Sequence, residues 1–191
     1  MAISITNKDT LKQIFDKVSR VYYFASANTA LGSQTQALEF PVLEDGVSFN
    51  TGDPDKNEVK LTDGTTWTSK VKQGESDISF QVSSVHSTIN DLLMEKKTNA
   101  AMTGTFDNFN YSGQGYSLAP KKVTGALLML SEDRQTAIYL PNVEIFASFN
   151  GEGGDDSTGY YNVAVTPLTD NNGAAFYPMV GTASSSSSSS S

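Results

Sequence analysis

The sequence predicts a mainly β fold with one packed helix, an additional N-terminal helix and a long hairpin loop. Three observations carry this. Ile78, Phe80 and Val82 alternate with Ser79, Gln81 and Ser83, the period of a half-buried strand. Tyr161, Val163 and Val165 repeat the pattern against Tyr160, Asn162, Ala164 and Thr166. Between such segments, Val85, Ile89, Leu92 and Leu93 fall at i, i+4, i+7 and i+8, one face of a helix.

In chain order, the first element is a helix over Lys8–Val18, capped by Asn7 and striped by Leu11, Ile14, Phe15 and Val18. Arg20–Ser26 reads as a strand, because Val21, Tyr22, Tyr23 and Phe24 are β-formers. Ala27–Gln36 is small and polar, a loop. Ala37–Leu43 and Gly46–Asn50 are short strands about the turn Glu44-Asp45-Gly46. Thr51–Glu58 combines Gly, Pro and charges, the composition of a hairpin tip whose return limb runs through Val59–Leu61 toward Trp67.

Thr66–Lys97 reads as strand, turn, strand and helix. Ser84 is the expected N-cap, with Lys96 and Lys97 at the cation-favouring C-terminal end. Phe106, Phe109, Tyr111 and Tyr116, interleaved with Asn and Gly, mark an ordered surface loop or an assembly contact. Val123–Ser131 and Gln135–Leu140 flank the turn SEDR, and Asn142–Asn150 follows beyond Pro141, a strand start or a bend. Gly151–Gly159 is a glycine-rich connector, Tyr160–Leu168 a strand and Ala175–Val180 a last short strand. Ala183–Ser191 ends in eight serines, which cannot bury apolar surface, so a disordered tail is expected. The organisation is thus an N-terminal helical arm (residues 1–19), one β domain (20–182) and a tail (183–191).

Composition narrows the chemistry. The chain has no cysteine and one histidine, His86, so thiol nucleophiles, cysteine zinc sites and disulfides are excluded. A Ser–His pair from Ser83, Ser84 or Ser87 lacks attacking geometry and an orienting acid. Asp53 with Asp55, and Asp155 with Asp156, do not follow the calcium-loop pattern. No catalytic residue, cofactor or metal is expected, and the chain does not read as an enzyme. No segment approaches the ~20 apolar residues of a membrane-spanning helix, and the N-terminus lacks signal-peptide features.

The formal net charge is −8, and all 13 Lys and Arg lie at or before Arg134. Six carboxylates between Glu44 and Asp63 face only Lys56 and Lys60, marking an acidic hairpin. Nucleic-acid binding needs clustered cations and is disfavoured.

The order of strand, long hairpin, strand, helix and meander resembles the major tail (tail tube) proteins of tailed bacteriophages. So does the wording GESDISFQVSSVHSTINDLL, VTGALLMLSEDRQTAIYLPNVEIFASFN and GYYNVAVTPLTDNNGAAFYP. The likeness covers Val21–Val180. It implies a β-sandwich or barrel with a flanking helix, in subunits that form rings stacked into a hollow tube. Its partners would be copies of itself and other virion tail proteins; DNA would pass through without specific binding, and no membrane is involved. The location implied is the virion tail, assembled in the host bacterial cytoplasm. A helical N-terminus departs from the extended arm common in that family. Asp53, Asp55, Lys56 and Glu58 are the expected contacts to the next ring. The competing reading is a carbohydrate-binding or adhesin-like β-sandwich with Trp67, Tyr111 and Tyr116 as stacking platform. Another virion part, a head decoration or tail-terminator protein, is the third.

Overall fold

The computed structural model describes residues 14–151 and 158–182. The chain is mainly β, with a single short helix among these residues. In order come β1 (Val18–Phe24), a 3-10 turn at Leu31–Ser33, β2 (Leu38–Phe40), β3 (Val42–Asn50), β4 (Asp55–Lys60), β5 (Thr66–Lys72) and β6 (Asp77–Val82). Helix α1 (Ser87–Leu93) follows, then β7 (Glu95–Phe106), β8 (Phe109–Ser117), β9 (Val123–Ser131), β10 (Thr136–Asn150), β11 (Tyr160–Pro167) and β12 (Tyr177–Val180). Two compact units share these elements: one takes the described parts of Met1–Phe40, Gly125–Asn142 and Thr169–Ser191, the other those of Pro41–Thr124 and Val143–Leu168.

In the first unit, β2, β1, β9 and the start of β10 are neighbours in that order, and β12 pairs with β10. Val21 faces Met129 and Tyr23 faces Leu127, and all four are buried. On the opposite face Phe24 sits beside Ala126 and meets Tyr139 edge-on at 6.3 Å between ring centroids. Gly125 is required here, since a Cβ would stand 2.4 Å from the Phe24 carbonyl oxygen. The SEDR hairpin is closed by Ser131, whose buried Oγ accepts from Thr136 N at 3.1 Å and is 2.6 Å from Asp133 Oδ1.

In the second unit, β10, β11, β6 and β3 follow one another. Phe80 opposes Val163, and Ile78 opposes Val165, which in turn opposes Ile145. These five side chains are buried, each contributing about 1.5–3 kcal/mol by leaving water. The alternation in β6 and β11 is therefore the expected one.

Several expectations are corrected. No helix occupies residues 14–18: Val18 already pairs with Ser131, and Glu132 N donates to Lys17 O at 3.0 Å. Backbone committed to that ladder cannot close helical hydrogen bonds, and the rest of the expected N-terminal helix, like the serine tail, lies outside the described residues. The helix expected to reach Lys97 ends at Leu93, because Glu95 onward pairs with β8. Its N-cap is His86, whose Nδ1 accepts from Thr88 N at 3.3 Å; Ser84 Oγ instead accepts from His86 N. The Glu44-Asp45-Gly46 turn is an irregularity inside β3, whose ladder on β6 resumes at Val47.

Pro141 does not begin a strand but lies inside β10, where the partner changes from β12, ending at Tyr139, to β11, starting at Val143. A residue without an N–H fits that gap. Ile138, Tyr139, Leu140 and Pro141 are buried in succession, and the one-sided alternation of Val143 and Ile145 begins past the gap.

Candidate functional site

Of the helix residues expected to pack, Ile89 and Leu93 are buried at 4% and 1% exposure, Leu92 is half-buried, and Val85 is 70% exposed. Val85 is thus not a core residue. It precedes the helix, and seven residues present only one i, i+4 pair inward.

Two antiparallel ribbons, both in the second unit, lie outside this core. In β4–β5 every residue is exposed. Its base is shaped by Gly52, at φ +83, where a Cβ would stand 2.5 Å from the Glu75 carbonyl oxygen. Gly74 N donates to Asp53 O at 3.1 Å, and Gln73 Nε2 donates to the Thr51 and Gly52 carbonyls at 2.7 Å. The tip is Leu61–Thr65, not Thr51–Glu58. There Asp63 accepts from Thr65 N and Oγ1 at 2.9 and 2.6 Å, hydrogen bonds that lower its pKa.

The four residues expected to meet the next ring are therefore dispersed. Asp53 belongs to the base, and Asp55 faces Lys72 across the ribbon. Lys56 and Glu58 share the opposite face, 2.5 Å apart. The expected acidic hairpin is also corrected: folding sets Lys70 and Lys72 of β5 against Asn57 and Asp55 of β4. Trp67, 72% exposed, is the extra residue where the register shifts between Val59 and Lys60.

The second ribbon, β7–β8, holds Phe106, Phe109, Tyr111 and Tyr116 in two paired strands, where the sequence predicts an ordered surface loop or an assembly contact. Asp107 and Asn108, at φ +49 and +65, form its two-residue turn. Phe106 pairs with Phe109, Gly104 with Tyr111 and Met102 with Gly113, which puts all six on one face. The other face carries Thr103, Thr105, Asn110, Ser112 and Gln114. The available signal was this alternation, obscured because glycine takes two of the apolar-face positions. Met102, Phe106, Phe109 and Tyr111 are 78%, 76%, 65% and 58% exposed.

Helix α1 holds the ribbon's base. Tyr116 OH donates to Asp91 Oδ1 at 2.6 Å, Lys96 Nζ to Asp91 Oδ2 at 3.1 Å and Lys121 Nζ to Asp91 O at 2.7 Å. The Tyr116 hydrogen bond, then that of Lys96, lowers the Asp91 pKa, and the carboxylate pushes Tyr116 up to about 12. Tyr116 is thereby a fastening of the ribbon.

The first unit has a depression of about 340 Å³ lined by Thr29, Leu31, Tyr139, Pro141, Asp170 and Tyr177. Its polar groups already bond one another: Tyr177 OH donates to Asp170 at 2.6 Å, and Tyr139 OH to Thr29 O at 2.6 Å. Among the described residues, no group of three or more His, Asp or Glu is placed to hold a metal ion, and no helix is long and apolar enough to cross a membrane. Compared with known proteins, the chain matches no family model and no curated relative.

Proposed function

We propose that this chain is a structural subunit of a phage tail tube, self-assembling into stacked rings that conduct the genome. The observation that carries the reading is the pair of ribbons. Among the described residues, β4 and β5 pair only with each other, as do β7 and β8. Such open edges are liabilities in a lone subunit, and a neighbouring copy that pairs with them removes the liability. The resemblance to tail-tube proteins supplies the ring-and-tube form. A net charge of −8 is compatible with a conduit that repels phosphate rather than binding it. The role is structural rather than catalytic, in a virion tail assembled in the bacterial cytoplasm, with copies of itself and other tail proteins as partners.

The experiment is electron microscopy of the purified chain beside a variant in which residues 54–73 are replaced by two glycines. Asp53 and Gly74 are already hydrogen-bonded neighbours, so the excision leaves the base closed. Hollow tubes from the wild type and a folded, tube-free variant are expected. A wild type that stays monomeric and binds glycans overturns the reading in favour of a carbohydrate-binding module.

A further inference from the structure

The apolar face of β7–β8 is shaped as well as exposed. Gly104 and Gly113 floor a notch of about 380 Å³ walled by Met102, Phe106 and Tyr111. A Cβ at either glycine would meet nothing within 4 Å, so the floor is open. Phe109 stands on the same face, opposite Phe106. One surface therefore presents both a hole and an aromatic knob.

We propose that this face docks onto the same face of a second copy, with Phe109 of each ribbon seated in the glycine notch of the other. This contact is separate from those of the tail-tube reading, since a two-fold contact closes on a pair, whereas rings and their stacking need head-to-tail contacts. Three considerations select a second copy as occupant. The first is self-complementarity, since knob and hole on one face are what a two-fold contact requires.

The second is area. An aromatic side chain buries roughly 150–250 Å². At 58–78% exposure, the four apolar side chains offer on the order of 500 Å² per copy. Two copies then bury on the order of 1,000 Å², the lower bound for a specific interface.

The third is charge. Residues 98–120 contain no cation and only Asp107, in a chain of net charge −8. Two like-charged copies meet here without charge opposing charge. An anionic lipid surface would repel the chain and find no lysine in this stretch to hold it.

The test is sedimentation of the full chain over a wide concentration range, with two variants. Gly104→Gln fills the notch with a polar side chain; Thr103→Lys adds charge to the opposite face. Wild type should associate reversibly, Gly104→Gln should weaken association by roughly tenfold or more, and Thr103→Lys should match wild type. Circular dichroism confirms that Gly104→Gln is folded; if it is not, Phe109→Ser takes its place with the same expectation.

A monomeric wild type, or Gly104→Gln associating like wild type, overturns the proposal. So does Thr103→Lys weakening association as much as Gly104→Gln. Electron microscopy separates the two readings. Notch-dependent pairs without tubes would sink the tube and leave the ribbon contact standing. Normal tubes from a Gly104→Gln chain that still pairs like wild type would do the reverse.

Discussion

Tyr116 donates its hydroxyl hydrogen to Asp91 at 2.6 Å, fastening the return strand of the β7–β8 ribbon to helix α1. The pair has two pH limits. Asp91 has a lowered pKa, so its contribution is present above the ordinary carboxylate range and is lost as pH falls through the folded value. Tyr116 is raised to about 12, so its contribution is present below the ordinary tyrosine value and is lost as pH rises through about 12. Ribbon-base amides should be least protected, relative to their intrinsic exchange rates, at both extremes. Tyr116→Phe should remove the alkaline limit and blunt the acidic one, as read by hydrogen exchange. A Tyr116→Phe profile superimposable on wild type would refute the fastening.

Helix α1 is anchored by Ile89 and Leu93. Leu93→Ala should lose about 2–5 kcal/mol, and Leu93→Asp should unfold its unit, because a buried carboxylate has no partner there. Val85→Asp, at a position 70% exposed, should stay within about 0.5 kcal/mol of wild type. Urea melts of the three variants check the ordering.

Ser131 closes the β9–β10 hairpin with one hydroxyl. Its removal in Ser131→Ala leaves Thr136 N–H without its 3.1 Å acceptor and Asp133 without the hydrogen bond that most lowers its pKa. A loss of about 1–3 kcal/mol is expected. Asp133, whose pKa that bond lowers, should titrate closer to an ordinary carboxylate, as NMR would show.

At Gly125, Ala should be poorly tolerated, since the new Cβ would press on the Phe24 carbonyl oxygen and on Tyr23, both at 2.4 Å. A loss of roughly 1–3 kcal/mol is expected from such overpacking. Gly104→Ala, in open space, should leave the melting temperature nearly unchanged. Thermal melts of the two alanine variants make the comparison.

The proposed conduit should not bind duplex DNA at physiological salt. Phosphate neutralisation and counterion release drive non-specific binding, and the chain has no Lys or Arg after Arg134. Gel shifts at low and moderate salt test this. Tight, salt-sensitive binding would mean that lysines such as Lys70 and Lys72 converge into a basic surface.

The sequence by itself determined the buried strands and the inward pair of the helix. Ile78, Phe80 and Val82, or Tyr161, Val163 and Val165, alternate because each residue's face follows from its parity within one strand, a local property. Tertiary structure decided what depends on distant partners. Whether Glu95–Lys97 extends a helix or starts a strand turns on pairing with Tyr116 and Ser117. Whether residues 14–18 coil turns on the β9 ladder. The acidic character expected of the β4 hairpin disappears because Lys70 and Lys72 arrive from the next strand. The apolar ribbon face stayed hidden because Gly104 and Gly113 occupy two of its positions, and only the pairing of β7 with β8 brings Met102, Phe106, Phe109 and Tyr111 onto one side. Hydrogen bonds between strands join residues far apart in sequence, and no window along the chain contains both ends.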